Sequence, residues 1–268
     1  IIPIHAEPAV RPVPAHPRHA AMAIARTGRE CNILNIEMLA LLAKILALFR
    51  DRLLAHNFGA SEALDIYYAA FRIPDFIYIS LASLVASAVL IPFIVERLDT
   101  EGARARSFFN NIFTFFFFSI VATSIIVFFA LPFLKNIVAP GFSSVAQEEL
   151  VFLSRIMLVS PILLGLSGLF ASVTQTLGRF LVYALSPVLY NVGIIVGVIV
   201  FYPIWGPSGL AYGVVLGALL HMLIQVPVLM RQKFMPHFLF PINFSEIKSV
   251  MFLSVPRTLT LSAHHIVL

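Results

Sequence analysis

Charged side chains stand inside the most apolar parts of this sequence, where lipid would surround them. The segment "LFRDRLLAHNFG" (48–59) places Arg50, Asp51 and Arg52 side by side, at the end of an apolar run that begins near Ile36. A charge at the centre of a bilayer costs at least about 2.5–3.5 kcal/mol, so such residues normally face protein or a watery cavity. The planar guanidinium fork of arginine suits phosphate oxygens. The segment therefore predicts an anion-binding cavity, for a pyrophosphate-linked lipid, an acidic head group or a simple anion.

The same pattern extends beyond this segment. Six basic residues and three acids fall inside apolar runs or at their ends: Lys44, Arg50, Arg52, Arg72, Arg155 and Arg257, with Asp51, Asp65 and Asp75. Most of them lie in the first two runs. Several cations within two neighbouring helices are hard to explain by packing alone, so we expect the group as a whole to be functional.

Not every one of these charges need face the cavity. At about 100° per residue, Arg50 and Arg52 point about 160° apart on a helix, so they cannot both face one cavity. Arg52 lies near the outer end of its run and can extend its head to the lipid head groups, as can Arg155 and Arg257 near other ends. Arg72 can pair with the acid three residues later, which would be a structural role.

The composition is that of an integral membrane protein. Of 268 residues, 60% are hydrophobic and only 12% are charged, and the mean hydropathy is +0.95. A soluble domain is usually about 45–50% apolar and about 25% charged. The apolar runs are continuous over about 20 residues or more, as bilayer-spanning helices require, whereas strands of a membrane barrel alternate over about ten residues. We therefore predict an all-α polytopic membrane protein.

Several functional classes are excluded. The single cysteine, Cys31, rules out an intrachain disulfide and argues against a structural zinc site. The sequence shows no nucleophile–base pair, no phosphate-binding Walker loop and no metal-ligand cluster, so we expect no enzyme, no cofactor and no metal. The net charge of +5 comes from basic residues scattered among loops. That distribution predicts no nucleic acid partner.

The chain divides into a tail and a membrane domain. Residues 1–35 are rich in Pro, Ala, His and Arg without helical periodicity, and we predict a disordered tail there. Residues 36–268 form the membrane domain, with six spans and a truncated seventh that begins near Phe244. The predicted spans are 36–58, 64–95, 110–134, 149–176, 180–202 and 208–230. Prolines inside several of them predict bent helices whose freed carbonyls are taken up by neighbouring helices or cavity water.

Basic residues in the short loops predict the orientation. Eleven lie in the tail and in the 2–3, 4–5 and 6–7 loops, against Lys135 alone in the three other loops. Lys and Arg accumulate on the cytoplasmic side of membrane proteins. We therefore expect a cytoplasmic N-terminus.

The segment "RDRLLAHNFGASEALDIYYAAFRIPDF" (50–76) resembles the signature of the MurJ/MviN lipid II flippases, members of the MOP exporter superfamily. "APGF" (139–142) is similar to the family's external loop after the third helix, and "GRFLVYALSPVLYNVGIIVG" (178–197) is similar to its fifth helix. The resemblance covers about 36–268. The elements that match within the first segment are Arg50-Asp51, Phe58-Gly59-Ala60, Asp65 and Ala70-Phe71-Arg72-Ile73-Pro74.

This resemblance implies a MATE-like fold of fourteen helices, in two six-helix lobes plus two further helices. The chain would hold the first lobe and part of helix seven. The resemblance also implies that Arg50, Lys44 and Arg72 bind the substrate, with Asp65 as a counter-charge or gate. Lys44 stands where the family commonly has Arg. Tyr78 replaces a further cavity Arg of the family, and the family's Glu-Gly-Ala reads Ser-Leu-Val at 83–85.

The implied function is lipid II flipping in the bacterial cytoplasmic (inner) membrane. The substrate would be an undecaprenyl-pyrophosphate-linked lipid, moved from the cytoplasmic to the outer leaflet by alternating access. The implied partners are that substrate, membrane lipid and a missing C-terminal lobe. Two alternatives stay open from the residues: another exporter of the superfamily, such as a polysaccharide-unit flippase or a cation-coupled drug antiporter, and a truncated membrane fragment without transport activity.

The predicted orientation can be tested by cysteine labelling in intact cells. Cysteines placed at Ser61 and Ser143 should react with an impermeant reagent, because both positions lie in predicted external loops. A cysteine at Ser107, in the predicted cytoplasmic 2–3 loop, should be protected. Labelling at position 107 from outside would reverse the orientation.

Overall fold

The computed structural model describes residues 17–82, 87–100 and 102–252; of residues 17–33, 82, 87–88 and 99–100 it describes the backbone alone. The described chain is mostly helical, and its longest non-helical connection covers 232–243. The helices are α1 (Pro17–Phe58), α2 (Glu62–Ala82), α3 (Ser87–Thr100), α4 (Gly102–Val138), α5 (Ser144–Met157), α6 (Val159–Thr176), α7 (Phe180–Val196), α8 (Tyr202–Trp205), α9 (Pro207–Leu223) and α10 (Val226–Arg231). A π-helical turn, Gly197–Phe201, joins α7 to α8, and the described part of α11 covers 244–252.

Four stretches of the described chain are long and apolar enough to cross a membrane. They are Gly102–Val138, Ser144–Thr176, Phe180–Trp205 and Pro207–Arg231, and they match the third to sixth predicted spans. The prediction of an all-helical multi-pass membrane protein is therefore confirmed. The first two predicted spans are also helical, as α1 and as α2 with α3, but these helices carry most of the charges. Their charged faces need protein or water beside them.

One helix boundary lies outside its predicted range. α1 begins at Pro17, within the predicted tail, and alanines, which favour helix, are frequent in this stretch. The division of the chain into a tail and a membrane domain stays a prediction, and residues 1–16 lie outside the described part. The predicted second span covers both α2 and α3; residues 83–86 between them are not described, nor is the end of the seventh span with Arg257.

The described helices pack around two large apolar clusters and one small one. α7 lies between α1 and α9, while α2 packs on α5 and α6, and α3 packs on α4 and α6. One large cluster is phenylalanine-rich and joins α3, α4 and α6, and it includes Phe108, Phe109 and Phe170. The other joins the C-terminal part of α1 and the N-terminal part of α2 to α5, α7 and α9, and includes Tyr67 and Met157.

Proline in α2 removes one backbone hydrogen bond, and a neighbouring helix replaces it. Pro74 has no N–H, so the carbonyl of Ala70 four residues earlier loses its helical donor. Ser154 of α5, which is fully buried, donates its hydroxyl to this carbonyl at 3.2 Å. The hydrogen bond ties α2 to α5 and agrees with the prediction that neighbouring helices take up freed carbonyls.

A charged side chain does the same for α4. Pro132 frees the carbonyl of Phe128, and Arg155 of α5 donates its Nε–H to that oxygen at 3.3 Å. The Arg155 guanidinium also lies 4.6 Å from the centre of the Phe128 ring, a cation–π contact. The structure therefore gives Arg155 a structural role between two helices.

The fourth predicted span is broken at a single residue. α5 ends at Met157 and α6 begins at Val159, with Pro161 in the first turn of α6. Pro161 cannot donate to the carbonyl of Met157, and the hydroxyl of Ser160 donates to it at 2.7 Å instead. The predicted bend in this span is thus a local break whose freed carbonyl has a partner.

The Pro74–Ser154 arrangement predicts a compensating pair of substitutions. Ser154→Ala should lower the free energy of unfolding by about 1–3 kcal/mol, because the buried carbonyl of Ala70 loses its donor. Adding Pro74→Ala should restore most of the loss, since residue 74 then has an N–H. Denaturant or thermal unfolding of the purified protein in detergent measures both effects.

Ser172→Ala is a matched control. Ser172 is also fully buried and donates to the carbonyl of Leu169 at 2.7 Å. That carbonyl lies inside α6, where the regular helical donor is available. Ser172→Ala should therefore cost less than Ser154→Ala. A double variant no more stable than Ser154→Ala would contradict the assignment.

Candidate anion-binding cavity

A polar cavity of about 310 Å³ opens between α1, α2 and α7. The floor and one wall are polar, and the remaining wall is aromatic. The lining residues are Arg50, Asp51 and Leu54 of α1, Tyr67, Tyr68, Phe71 and Asp75 of α2, and Tyr190 of α7. Such a pocket, with a few convergent polar groups on an apolar background, is the usual form of a ligand site.

Arg50 is the cation of this cavity among the described lining residues, and each of its three guanidinium nitrogens has a partner. Nε and Nη2 both contact Oδ1 of Asp51, at 2.9 Å and 2.7 Å. Nη1 donates to Oδ1 of Asn191 at 3.1 Å. The side chain of Arg50 is 24% exposed, so the guanidinium sits at the cavity edge with one charged and one neutral partner.

Asn191 connects α7 to α1 beneath the cavity. It is only 6% exposed. Its Nδ2 donates to the carbonyl of Pro187 at 3.0 Å and approaches the carbonyl of Ala43 on α1 at 3.4 Å. These two acceptors fix the amide so that its oxygen faces Arg50. The direction of the Arg50 head is therefore set from the buried side.

Packed rings form the aromatic wall. Tyr67 is almost fully buried, meets Phe71 edge-on at 5.2 Å between ring centres and lies 5.5 Å from Tyr68. Tyr68 is 46% exposed at the rim. Tyr190 meets the ring of His221 of α9 edge-on at 6.4 Å. Because these rings rest on the core, the wall keeps its shape while the Tyr68 face remains open.

Of the four site residues predicted from the sequence, the structure places only Arg50 in this cavity. Lys44 is exposed on α1, six residues earlier and about 9 Å along the helix axis. Asp65 is exposed in the first turn of α2. Arg72 lines a different, apolar groove of about 530 Å³ between α2 and α4. Arg52 is exposed and outside the cavity lining, as its angular separation from Arg50 predicts.

Helix geometry explains why Arg72 and Asp75 line different pockets. Three residues of α-helix rotate by about 300°, so the two side chains leave α2 about 60° apart. Tyr68 and Asp75 fall on the cavity side of that division, while Arg72 falls on the side facing α4. The acid that reaches the cavity from α2 is therefore Asp75 rather than Asp65.

The arrangement is suited to binding an anion. An arginine fork held at a cavity rim binds phosphate oxygens through paired hydrogen bonds. No group of three or more His, Cys, Asp or Glu side chains within the described ranges could hold a metal ion. Hydroxyls of Tyr68 and Tyr190 and the carboxylate of Asp75 add polar contacts for the rest of a ligand.

Comparison with known proteins places this chain in a family. The family model described as lipid II flippase MurJ matches residues 54–268. The chain belongs to the MurJ family. This match favours MurJ over the other exporters of the superfamily that the residues alone left open. The matched region begins four residues after Arg50, so it includes α2 and α7 of the cavity and the end of α1.

Curated MurJ relatives are similar over most of this chain. A probable lipid II flippase MurJ of Buchnera aphidicola is 30% identical over 203 residues, which are 74% of this chain and 40% of the relative. The lipid II flippase MurJ of Burkholderia cenocepacia is 28% identical over 239 residues, 86% of this chain and 46% of the relative. The chain thus spans less than half the length of these relatives.

Solved structures share the fold. A lipid II flippase MurJ in an inward closed conformation superposes with a TM-score of 0.70 at 23% identity, covering 84% of this chain and 47% of that structure. The crystal structure of a MATE point mutant gives a TM-score of 0.67 at 16% identity, covering 87% of this chain and 54% of the MATE chain. The expected MATE-like lobe is therefore confirmed.

Sequence reasoning missed Tyr190 as a cavity residue and Asn191 as the buried partner of Arg50. Both stand in α7, which is otherwise almost wholly apolar, and a buried amide in such a helix needs partners. Asn191 also follows Pro187 by one helical turn. A buried amide one turn after a proline was the available signal for Asn191. The partner of Asn191, Arg50, lies 141 residues away, so local periodicity could not identify it.

Glycines bring α7 against α9 at the level of the cavity. A Cβ added at Gly193 would lie 2.2 Å from Cα of Gly217, and one added at Gly217 would lie 2.4 Å from the carbonyl oxygen of Tyr190. Glycines four positions apart in one helix, such as Gly213 and Gly217 in α9, let membrane helices approach this closely. The contact holds Tyr190 and Asn191 in place, because α7 cannot move away from α9 without losing it.

The close contact between α7 and α9 predicts the effect of a larger residue at Gly193. Gly193→Ala should sharply lower the amount of folded protein, since the new methyl group meets backbone atoms that cannot give way. Gly168→Ala is the matched control, because a Cβ there meets nothing within 4 Å and alanine is the better helix former. Immunoblots of membranes and thermal unfolding compare the two. Equal protein levels would show that the helices separate easily.

Proposed function

We propose that this chain is the N-terminal lobe of a lipid II flippase and that Arg50 binds the pyrophosphate of the lipid-linked substrate. The observation that carries the proposal is the placement of the Arg50 guanidinium at the rim of a polar cavity. Asp51 and Asn191 hold the guanidinium there. MurJ family membership supports the choice of substrate, since the relatives are named lipid II flippases.

The mechanism we propose is alternating access. Two lobes rock about a central cavity, of which α1, α2 and α7 supply this lobe's wall. Arg50 holds the pyrophosphate, while the aromatic wall and Asp75 face the polar parts bonded to it. The substrate keeps all its covalent bonds, so the protein acts as a transporter and not as an enzyme. The second lobe and the membrane lipid complete the site, and an ion gradient or the membrane potential supplies the energy.

The other predicted residues have proposed roles along the route. Lys44 lies on the same face of α1 as Asp51, and the two residues are seven positions, or about 10 Å, apart along the helix. Lys44 would attract the anionic head group of the substrate on the cytoplasmic side. Asp65, at the start of α2, would act as a counter-charge at the outer side. Arg72, at the border between the cavity face and the groove facing α4, would meet the substrate only when the lobes have moved.

The proposed location is the bacterial cytoplasmic membrane, with the N-terminus in the cytoplasm. The eleven-to-one division of basic residues between alternate loops supports this orientation. The Arg50 cavity then lies toward the outer half of the membrane, because α1 runs outward from its cytoplasmic start. A substrate that reaches Arg50 has therefore already moved part of the way across.

Two neighbouring arginines provide the test. In the complete gene that carries this chain, Arg50→Ala should abolish rescue of a bacterium depleted of its own lipid II flippase, while the protein level stays near normal. Arg52→Ala should be tolerated, because Arg52 is exposed and lies outside the cavity. Arg50→Lys should recover only part of the activity, since an ammonium keeps the charge but loses the fork. Complementation and immunoblots measure these effects. Equal tolerance of Arg50→Ala and Arg52→Ala would overturn the proposal.

A further inference from the structure

The Arg50 fork is already occupied in this structure. Asp51 takes the edge formed by Nε and Nη2, at 2.9 Å and 2.7 Å, and Asn191 takes Nη1. A phosphate binds arginine best through two parallel N–H donors. For an anionic ligand to use the Nε–Nη2 edge, the carboxylate of Asp51 has to leave it.

The two partners of Arg50 differ in their freedom to leave. The side chain of Asp51 is 50% exposed, so its carboxylate can turn into water. Asn191 is 6% exposed, and its amide nitrogen is held by the carbonyls of Pro187 and Ala43. Asp51 is therefore the displaceable partner and Asn191 the fixed one.

We propose that Asp51 and Asn191 are positioning residues that make Arg50 an exchangeable phosphate ligand. Asp51 holds the fork while the cavity is empty, and a phosphate oxygen of the substrate replaces it. Asn191 keeps the guanidinium aimed at the cavity in both states. This inference rests on the proposed function, because it assumes that the ligand of Arg50 is a phosphate.

The exchange limits how tightly the substrate binds. The carboxylate competes for the same two donors, and after displacement it remains one residue away as a like charge beside the bound phosphate. Both effects weaken binding, and both favour release once the lobes have moved. A transporter needs release as much as capture, so a built-in competitor raises turnover at the expense of affinity.

Equilibrium binding of undecaprenyl pyrophosphate to the purified complete protein tests the exchange. Asp51→Asn keeps the size and removes the competing charge, so binding should tighten about tenfold, the scale of one charge-assisted hydrogen bond. In liposomes, the same variant should flip lipid II more slowly at saturating substrate, because release is slower. A purely structural role for Asp51 predicts unchanged or weaker binding instead.

Asn191→Asp tests the fixed partner with an isosteric change. The substitution places a second carboxylate beside the Arg50 guanidinium. Binding of undecaprenyl pyrophosphate should therefore weaken about tenfold by the same estimate. The double variant Asp51→Asn/Asn191→Asp again has one carboxylate and should bind close to wild type. A packing role for Asn191 predicts wild-type binding for Asn191→Asp. Asp51→Asn decides the exchange by itself, even if Asn191→Asp is poorly folded.

Arg50→Ala separates this inference from the proposed function. If Arg50→Ala binds undecaprenyl pyrophosphate as well as wild type, the proposed role of Arg50 fails. If Arg50→Ala loses binding but Asp51→Asn binds no tighter than wild type, Arg50 is the phosphate ligand and only the exchange is wrong. Loss of binding in Arg50→Ala together with tighter binding in Asp51→Asn supports both.

Discussion

A polar group inside an apolar medium has to find its partner within the protein, and much of this structure follows from that requirement. The carbonyls freed by Pro74, Pro132 and Pro161 all receive side-chain donors. Two of these donors come from α5, so the prolines that weaken single helices also define which helices pack together. The tertiary contacts therefore replace hydrogen bonds that the helices themselves have lost.

The same requirement separates the structural charge from the candidate functional one. Arg155 donates to the carbonyl of Phe128 and lies over its ring, so its partners belong to the fixed framework. Arg50 instead has a half-exposed carboxylate as its charged partner. Both arginines satisfy their charge inside the protein, but only Arg50 does so at a cavity with a partner that can be exchanged. That difference, rather than depth in the membrane, is the reason for proposing Arg50 as the ligand-binding residue.

Composition and run length were enough to predict the helical membrane fold, because lipid leaves few other ways to satisfy the backbone. Helix rotation was also enough to separate Arg50 from Arg52. Sequence reasoning could not assign Asn191, since a bond across 141 residues leaves no trace in local spacing. Sequence reasoning also could not predict which groove Arg72 lines. A rotation of about 60° from Asp75 is enough to place Arg72 in another groove. The Pro161 break was predictable as a bend, but its exact position depended on Ser160.

The cavity combines a fixed wall with an open one, an arrangement that suits the alternating access proposed above. On the fixed side, α7 is locked against α9 by contacts that leave no room for a Cβ at Gly193 or Gly217, so Tyr190 and Asn191 move only with the whole lobe. On the open side, Asp51 and Tyr68 present exposed side chains. The exposed side chains at the rim therefore have room to rearrange, whereas the backbone that aims Arg50 is closely packed. In the proposed mechanism, such a lobe rocks as one body and still changes its hold on the substrate.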